Sequence, residues 1–322
     1  MTIRPAVKRS FSFCLCKAFI GYSYSDKLPM GRATRAGTVE QLFDVLAKDE
    51  GFSQKHYLWS AKIFCRVFLM GFRFSGESHV GCVYTHNEDA IGWAIPHKLW
   101  FVADGMGGYA KGELASGIVK QTVLNGMANP QVRLEQLVMD AHQAIVDEIA
   151  AATGFVQMGS TLVLMQVVDR DCKVAWVGDS RAYLWRMGHL DQITHDHTFL
   201  QSLVDEGVLD PRDVYKHPRK NELVQALWIG EPDPDETSIR LEPYDWLILC
   251  SDGLHDVVTQ AEITQVLDNC KSPNEATKKL IQASLDKGVE DNVSVIVIEC
   301  PQFEPEGIRE HIRNIFGANK RP

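Results

Sequence analysis

A chain of 322 residues, 45% hydrophobic and 23% charged, reads as an ordinary globular protein with room for one large domain plus an appendage. Its formal charge of −9 is uneven: residues 1–69 carry +6, which leaves −15 on the remainder. An acidic main domain lacks the clustered Lys and Arg that phosphate-backbone contacts need, so nucleic-acid partners and a nuclease groove are not expected.

Residues 1–69 read as a basic extension, either disordered or an artefact of start-codon choice, with Met70 a second start point just ahead of the functional domain. Phe11–Ile20 is apolar but carries Lys17 and lacks a small-residue cleavage site. Lys62 and Arg66 interrupt Tyr57–Phe72 well short of the roughly 20 apolar residues of a spanning helix. That stretch reads as a linker, a flanking helix or an amphipathic surface helix. The eight cysteines are scattered and form no CxxC pair. With no membrane span, a reducing cytoplasm is the expected location.

From residue 70 to 300 the pattern is strands, then helices, then strands, followed by a tail at 301–322. Glu77–Thr85 and Leu99–Ala103 read as strands. Glu113–Ala128 and Val132–Ala152 carry apolar residues at helical spacing, among them Leu114, Ile118, Val123, then Leu134, Val138, Ile145. Strands are expected at Ser160–Val168, Lys173–Val177 and Arg181–Arg186, with Met187-Gly188-His189 turning into Leu190–Ile193. Phe199–Trp228 reads as a polar helical region broken by Pro211 and Pro218. Trp246–Cys250 is a buried-strand run, Glu262–Asp268 and Pro273–Lys287 read as helices, and Val293–Glu299 closes as a strand. Strand meanders with inserted helix pairs predict an α+β layered sandwich.

The chemistry lies in short acidic motifs: Asn87-Glu88-Asp89-Ala90, Asp104-Gly105-Met106-Gly107-Gly108, Ser251-Asp252-Gly253-Leu254 and Asp291-Asn292. Apolar runs deliver Asp104 and Asp252 directly into glycines, and Val177-Gly178-Asp179 repeats the device. Glycine permits close backbone approach, which would allow Asp104 to bridge two ions with the Gly105 carbonyl as a further oxygen. Each motif alone also reads as an Asx or Gly turn. Jointly, so many strand-end carboxylates point to a cage for hard divalent cations.

The ordered set N-E-D-A, D-G-M-G-G, G-S-T, G-D-S-R-x-Y, S-D-G-L and D-N, spread over about residues 72–300, resembles the metal-dependent Ser/Thr protein phosphatases of the phosphatase 2C type, in their bacterial branch. The resemblance implies a four-layer α-β-β-α sandwich around two central antiparallel sheets. It implies two Mn²⁺ or Mg²⁺ ions bridged by Asp104, with Glu88 and the Gly105 carbonyl on one and Asp252 and Asp291 on the other. Asp89 would support these ligands, and Asp179 with Asp252 resembles a weaker third site. Asp104 and Asp252 would thus be central to catalysis, in which a water held by both ions attacks phosphoserine or phosphothreonine. The implied partners are phosphoproteins, those of a cognate Ser/Thr kinase, acted on by a monomer.

Two positions depart from the family pattern. Where members carry a phosphate-holding arginine, three residues before the Asn of N-E-D, this chain has Tyr84. A phenol donates one hydrogen bond and cannot form the charged fork of Arg, so weakened turnover, or a phosphoprotein-binding regulator without turnover, is the alternative expectation. Met106 stands where some members have a histidine proposed as general acid, which leaves His86, His195 and His197 as candidates by type alone. Phe199–Gly230 would be the family's mobile flap.

Overall fold

The computed structural model describes residues 71–107, 111–129, 131–153 and 156–303. The readings made for residues 1–69, and for 304–322 of the tail, lie outside the described residues. Strands β1 (Arg73–His79), β2 (Asp89–Ala94) and β3 (Leu99–Met106) lead into helices α1 (Lys111–Gly126) and α2 (Leu134–Ala151). There follow β4 (Gly159–Ser160), β5 (Leu162–Val168), β6 (Asp171–Val177), β7 (Arg181–Arg186), β8 (His189–Gln192) and the short α3 (Phe199–Asp205). The chain closes through β9 (Asp235–Arg240), β10 (Trp246–Cys250), α4 (Asp252–His255), α5 (Gln260–Asp268), α6 (Pro273–Asp286) and β11 (Val293–Glu299).

These strands form two sheets, ordered β1-β11-β10-β7-β8 and β2-β3-β5-β6-β9, with the strand pairings among the described residues antiparallel and β4 attached to β3. Side chains alternate along a strand, and here both faces are covered. On β3, Leu99, Phe101 and Ala103 pack against α1 and α2, whereas Trp100 and Val102 face the other sheet. On β10, Leu247 and Leu249 face the first sheet's partner, while Ile248 and Cys250 meet Ile263, Leu280 and Ile281 of α5 and α6. Three apolar layers therefore separate four structural ones, and the fold is an α-β-β-α sandwich. Full burial on both faces explains why β3, β10 and β11 read as continuous apolar runs. Among the described residues no helix is long and apolar enough to cross a membrane.

Three local expectations need correction. The first strand spans Arg73–His79, not Glu77–Thr85: its partner β11 begins at Val293, and beyond His79 the chain turns at Gly81, whose φ is +77°. The region Phe199–Trp228 is helical only over Phe199–Asp205, with a 3₁₀ turn at Pro211–Lys216. Past that turn its backbone is engaged elsewhere, through Phe199 N–H to Glu222 O (2.8 Å), Val224 N–H to His197 O (2.9 Å) and Leu227 N–H to Ser160 O (2.9 Å). The strand β9 was not anticipated. Its sequence Asp-Glu-Thr-Ser-Ile-Arg carries little apolar signal, and it is held as a sheet edge by its ladder to β6.

Candidate metal centre

By the two-residue repeat Asp104 follows Trp100 and Val102 onto the inter-sheet side, and it lies directly across from Asp89 in the β2–β3 register. Two carboxylates facing each other across a ladder repel, so local packing alone gives no reason for the pair. At this end of the sandwich the apolar inter-sheet layer gives way to serines. Ser294 Oγ donates to Ser78 Oγ (2.8 Å), Asn87 Nδ2 donates to Ser78 Oγ (2.7 Å), and Ser251 Oγ donates to Asp89 Oδ2 (2.8 Å).

Beyond this shelf lies an open cavity of about 520 Å³. Tyr84, Glu88, Asp104, Gly105, Asp179, Asp252 and Asp291 all line it, brought from five separate chain segments. Asp89 does not line it; its carboxylate sits behind, on Ser251. His86 is at the wall, whereas His195 and His197 are not. His195 Nε2 meets Asp205 (2.8 Å), and His197 Nδ1 accepts from Gly178 N–H (3.2 Å) while its Nε2 faces Asp235 (3.3 Å). Both hold loops in place.

Each motif has a second, positioning half. Thr161 and Ser160 pin the Asp104 backbone, with Asp104 N–H donating to Thr161 Oγ1 (3.1 Å), Thr161 N–H to Asp104 O (2.8 Å) and Ser160 Oγ to Asp104 O (3.0 Å). Asn292 staples the loop that carries Tyr84, His86 and Glu88: its Oδ1 accepts from Glu88 N–H (2.6 Å), and its Nδ2 donates to Val80 O (2.9 Å) and His86 O (3.1 Å). Asn292 N–H also donates to Asp291 Oδ1 (2.7 Å). Arg181 forms a bidentate pair with Asp196 and donates to Tyr183 Oη (3.1 Å), which locks the turn that presents Asp179. His255, buried under that turn, meets the Asp179 carbonyl (3.1 Å), and burial together with Arg181 pulls its pKa down to about 4, so it stays neutral.

Electrostatically the cavity is strained without cations. Burial, then the charges of Asp89, Asp252, Asp179 and Asp291, drives the Asp104 carboxyl well above its ordinary range. Asp252 is raised likewise, by burial and then by Asp179, and Asp179 is pushed up to about 7 by burial and Asp196. Asp89 rises to about 6, chiefly through burial. Asp252 Oδ1 is buried with no hydrogen-bond partner, as is Asp89 Oδ1. A cavity-lining carboxylate with one oxygen left without a hydrogen-bond partner fits a cation ligand, and all-oxygen donors suit Mg²⁺ or Mn²⁺ better than Zn²⁺. Among the described residues no three acidic, His or Cys side chains already converge into a closed chelating cluster.

Several contributors escaped sequence reading. Asn221 and Leu223 reach the cavity from the segment after the 3₁₀ turn, and Asn221 Nδ2 donates to Asp252 Oδ2 (3.1 Å). Gly112 presses on Glu88: a Cβ there would lie 2.2 Å from Glu88 Oε2, and the Gly112 N–H donates to that carboxylate. Ser78, Ser294 and His255 complete the list. Asn221 and Gly112 have no motif signal, because their roles exist only through distant chain segments.

A family model described as protein phosphatase 2C matches residues 76–290. The Mycobacterium tuberculosis serine/threonine protein phosphatase PstP is 34% identical over 248 residues, which cover 74% of this chain and 47% of PstP. The chain thus spans about half the length of that relative. The Listeria innocua serine/threonine phosphatase stp is 31% identical over 233 residues, covering 68% of this chain and 92% of stp. A crystal structure of the PstP catalytic domain in complex with two manganese ions aligns with a TM-score of 0.66 at 32% identity, covering 72% of this chain and 99% of that one. On the family match over residues 76–290 and these identities, the chain belongs to the protein phosphatase 2C family.

Proposed function

We propose that this chain is a Mn²⁺- or Mg²⁺-dependent serine/threonine protein phosphatase acting on phosphoproteins, those of a cognate Ser/Thr kinase. The observation that carries the reading is the ring of Glu88, Asp104, Asp179, Asp252 and Asp291 around one cavity, with Asp252 Oδ1 buried and unpartnered. The two manganese ions of the related PstP catalytic domain support the same metal count here. Asp104 would bridge the ions, Glu88 and the Gly105 carbonyl would hold one, and Asp252 and Asp291 the other. Asp179 with Asp252 offers a weaker third position, and Asp89, fixed by Ser251, supports the ring from behind.

Two such ions, when bound, activate water for in-line attack and neutralise the phosphoryl oxygens. The protein's part is to hold the carboxylates against their mutual repulsion, which the Ser251, Thr161, Asn292 and Arg181 contacts accomplish. His86 lines the cavity and is the one of the three candidate histidines placed to serve as a proton donor, whereas His195 and His197 are engaged in loops.

A second reading, a phosphoprotein-binding regulator with little turnover, rests on Tyr84. Among the described residues that line the cavity there is no Lys or Arg, and the Tyr84 phenol is held protonated by the charge of Asp291 and by burial. A charge-assisted hydrogen bond contributes about 1.5–3 kcal/mol, so its absence weakens phosphate binding without removing the metal ligands. Hydrolysis of p-nitrophenyl phosphate separates the readings. Turnover abolished by EDTA and restored by Mn²⁺ supports the phosphatase; metal binding without turnover supports the regulator.

A further inference from the structure

The segment that follows the 3₁₀ turn lines the cavity with Asn221 and Leu223 and touches a proposed metal ligand through one side chain. Its backbone is braced just after that contact, and a side-chain ion pair stands just before it. Phe199 N–H donates to Glu222 O (2.8 Å), Val224 N–H donates to His197 O (2.9 Å), and Thr198 and Leu223 form an isolated antiparallel bridge. Lys220 Nζ pairs with Asp256 Oδ2 at 2.5 Å, one turn beyond Asp252. Between these anchors Asn221 Nδ2 donates to Asp252 Oδ2 at 3.1 Å.

Asp252 is otherwise poorly held. It is 7% exposed, its Oδ1 has no partner, and Asp179, Asp256, Asp291 and Asp89 all repel it. A carboxylate with one oxygen tied and the other free presents the free oxygen in a fixed direction. An outer partner that orients a ligand in this way raises metal affinity, and its loss typically lowers affinity about 10–100-fold. From this geometry we infer that Asn221 is a positioning residue: by holding Oδ2 it fixes the orientation of the Asp252 carboxylate at the cavity wall and so couples metal loading to docking of the 217–224 segment. The inference rests on the metal reading proposed above. Linkage makes the coupling reciprocal, so bound metal must hold the segment down as strongly as the docked segment strengthens metal binding.

The test is calorimetric titration of Mn²⁺ into the full chain, with Asn221→Ala and the apolar isostere Asn221→Leu beside it. Tryptic cleavage after Arg219 and Lys220 is followed with and without Mn²⁺. The expected result is a Mn²⁺ dissociation constant about tenfold weaker in both variants, at the lower end of that range. Mn²⁺ should slow cleavage in the unmodified chain and do so less in the variants, while unfolding midpoints in EDTA stay the same. Glu222→Ala, which removes only the neighbouring Arg219 pair, should leave the dissociation constant unchanged. Affinities within twofold of the unmodified chain in both Asn221 variants overturn the inference, as does an equal loss in Glu222→Ala. If the unmodified chain binds no Mn²⁺, the proposed function falls and the inference with it; binding indifferent to residue 221 overturns the inference alone.

Discussion

Ser251 and Asp89, 162 residues apart in sequence, are joined by a 2.8 Å hydrogen bond from the serine hydroxyl to the Asp89 carboxylate. The same Ser251 oxygen accepts from Ser294 N–H at 3.0 Å, so one side chain ties β11 to the start of β2 beneath the cavity. The other Asp89 oxygen is buried and unpartnered, so the hydrogen bonds from Ser251 and Ser294 are what support this carboxylate. Ser251→Ala should destabilise the protein by about 1–3 kcal/mol, the cost of a buried acceptor left without its donor. Urea unfolding measures it, and a change within about 0.5 kcal/mol, the ordinary range for an uninvolved surface site, would contradict the role.

Gly112 offers a second test, because two effects oppose each other there. Replacing a helical glycine by alanine ordinarily favours the helix by about 1 kcal/mol. Here the new Cβ would sit 2.2 Å from Glu88 Oε2 and 2.6 Å from Gly105 O, the two groups proposed to hold one ion. Gly112→Ala should therefore weaken Mn²⁺ binding and phosphatase activity in spite of the helix gain. Calorimetry and p-nitrophenyl phosphate assays report this, and unaltered affinity would separate Glu88 from the metal.

The metal-free protein should show an inverted pH dependence of stability. Asp89 and Asp179 have folded-state pKa values near 6 and 7, raised above the ordinary Asp value of about 3.9 by burial. A raised carboxyl binds protons more tightly when folded, so its contribution is present at low pH and lost as pH rises through the folded pKa. In EDTA, urea midpoints should fall between about pH 4 and about pH 7 on this account, and Asp179→Asn should flatten the decline. Mn²⁺ added at pH 8 should restore stability, since a ligand that binds only the folded state stabilises it. A flat profile in EDTA would remove the like-charge strain from the site.

Tyr84→Arg should raise phosphopeptide kcat/KM by about 10–100-fold, the equivalent of one charge-assisted hydrogen bond. The position lines the cavity and faces the charges of Asp291 and Glu290, so an added guanidinium meets no competing cation among the described lining residues. The gain should appear with phosphate monoesters and vanish in EDTA. No gain would mean that Tyr84 is not at the phosphate.

Much of the architecture was legible because it is written locally. β10 and β11 match their apolar runs residue for residue, and α1, α2, α5 and α6 follow their helical spacing within two residues at each end. A strand buried on both faces and a helix buried on one leave patterns of fixed period. The Asp-Gly endings of β3 and β10 were equally visible, since a carboxylate beside glycine is a local chemical choice. β9 and the 199–228 segment were not legible, because ladder and bridge hydrogen bonds to remote strands hold them and apolar periodicity does not.

By itself, then, the sequence determined the strand–helix–strand order (β9, the placement of β1 and the 199–228 segment apart), the acidic identity of the strand ends and the substitution at Tyr84. Only the tertiary structure decided which carboxylates share a cavity, that Asp89 stands behind them on Ser251, that Gly112 is pressed against Glu88 and that Asn221 reaches Asp252. The reason is physical. Secondary structure follows from short-range periodicity, whereas a ring of mutually repelling carboxylates is held by contacts between residues as far apart as Glu88 and Asn292, which no local pattern encodes.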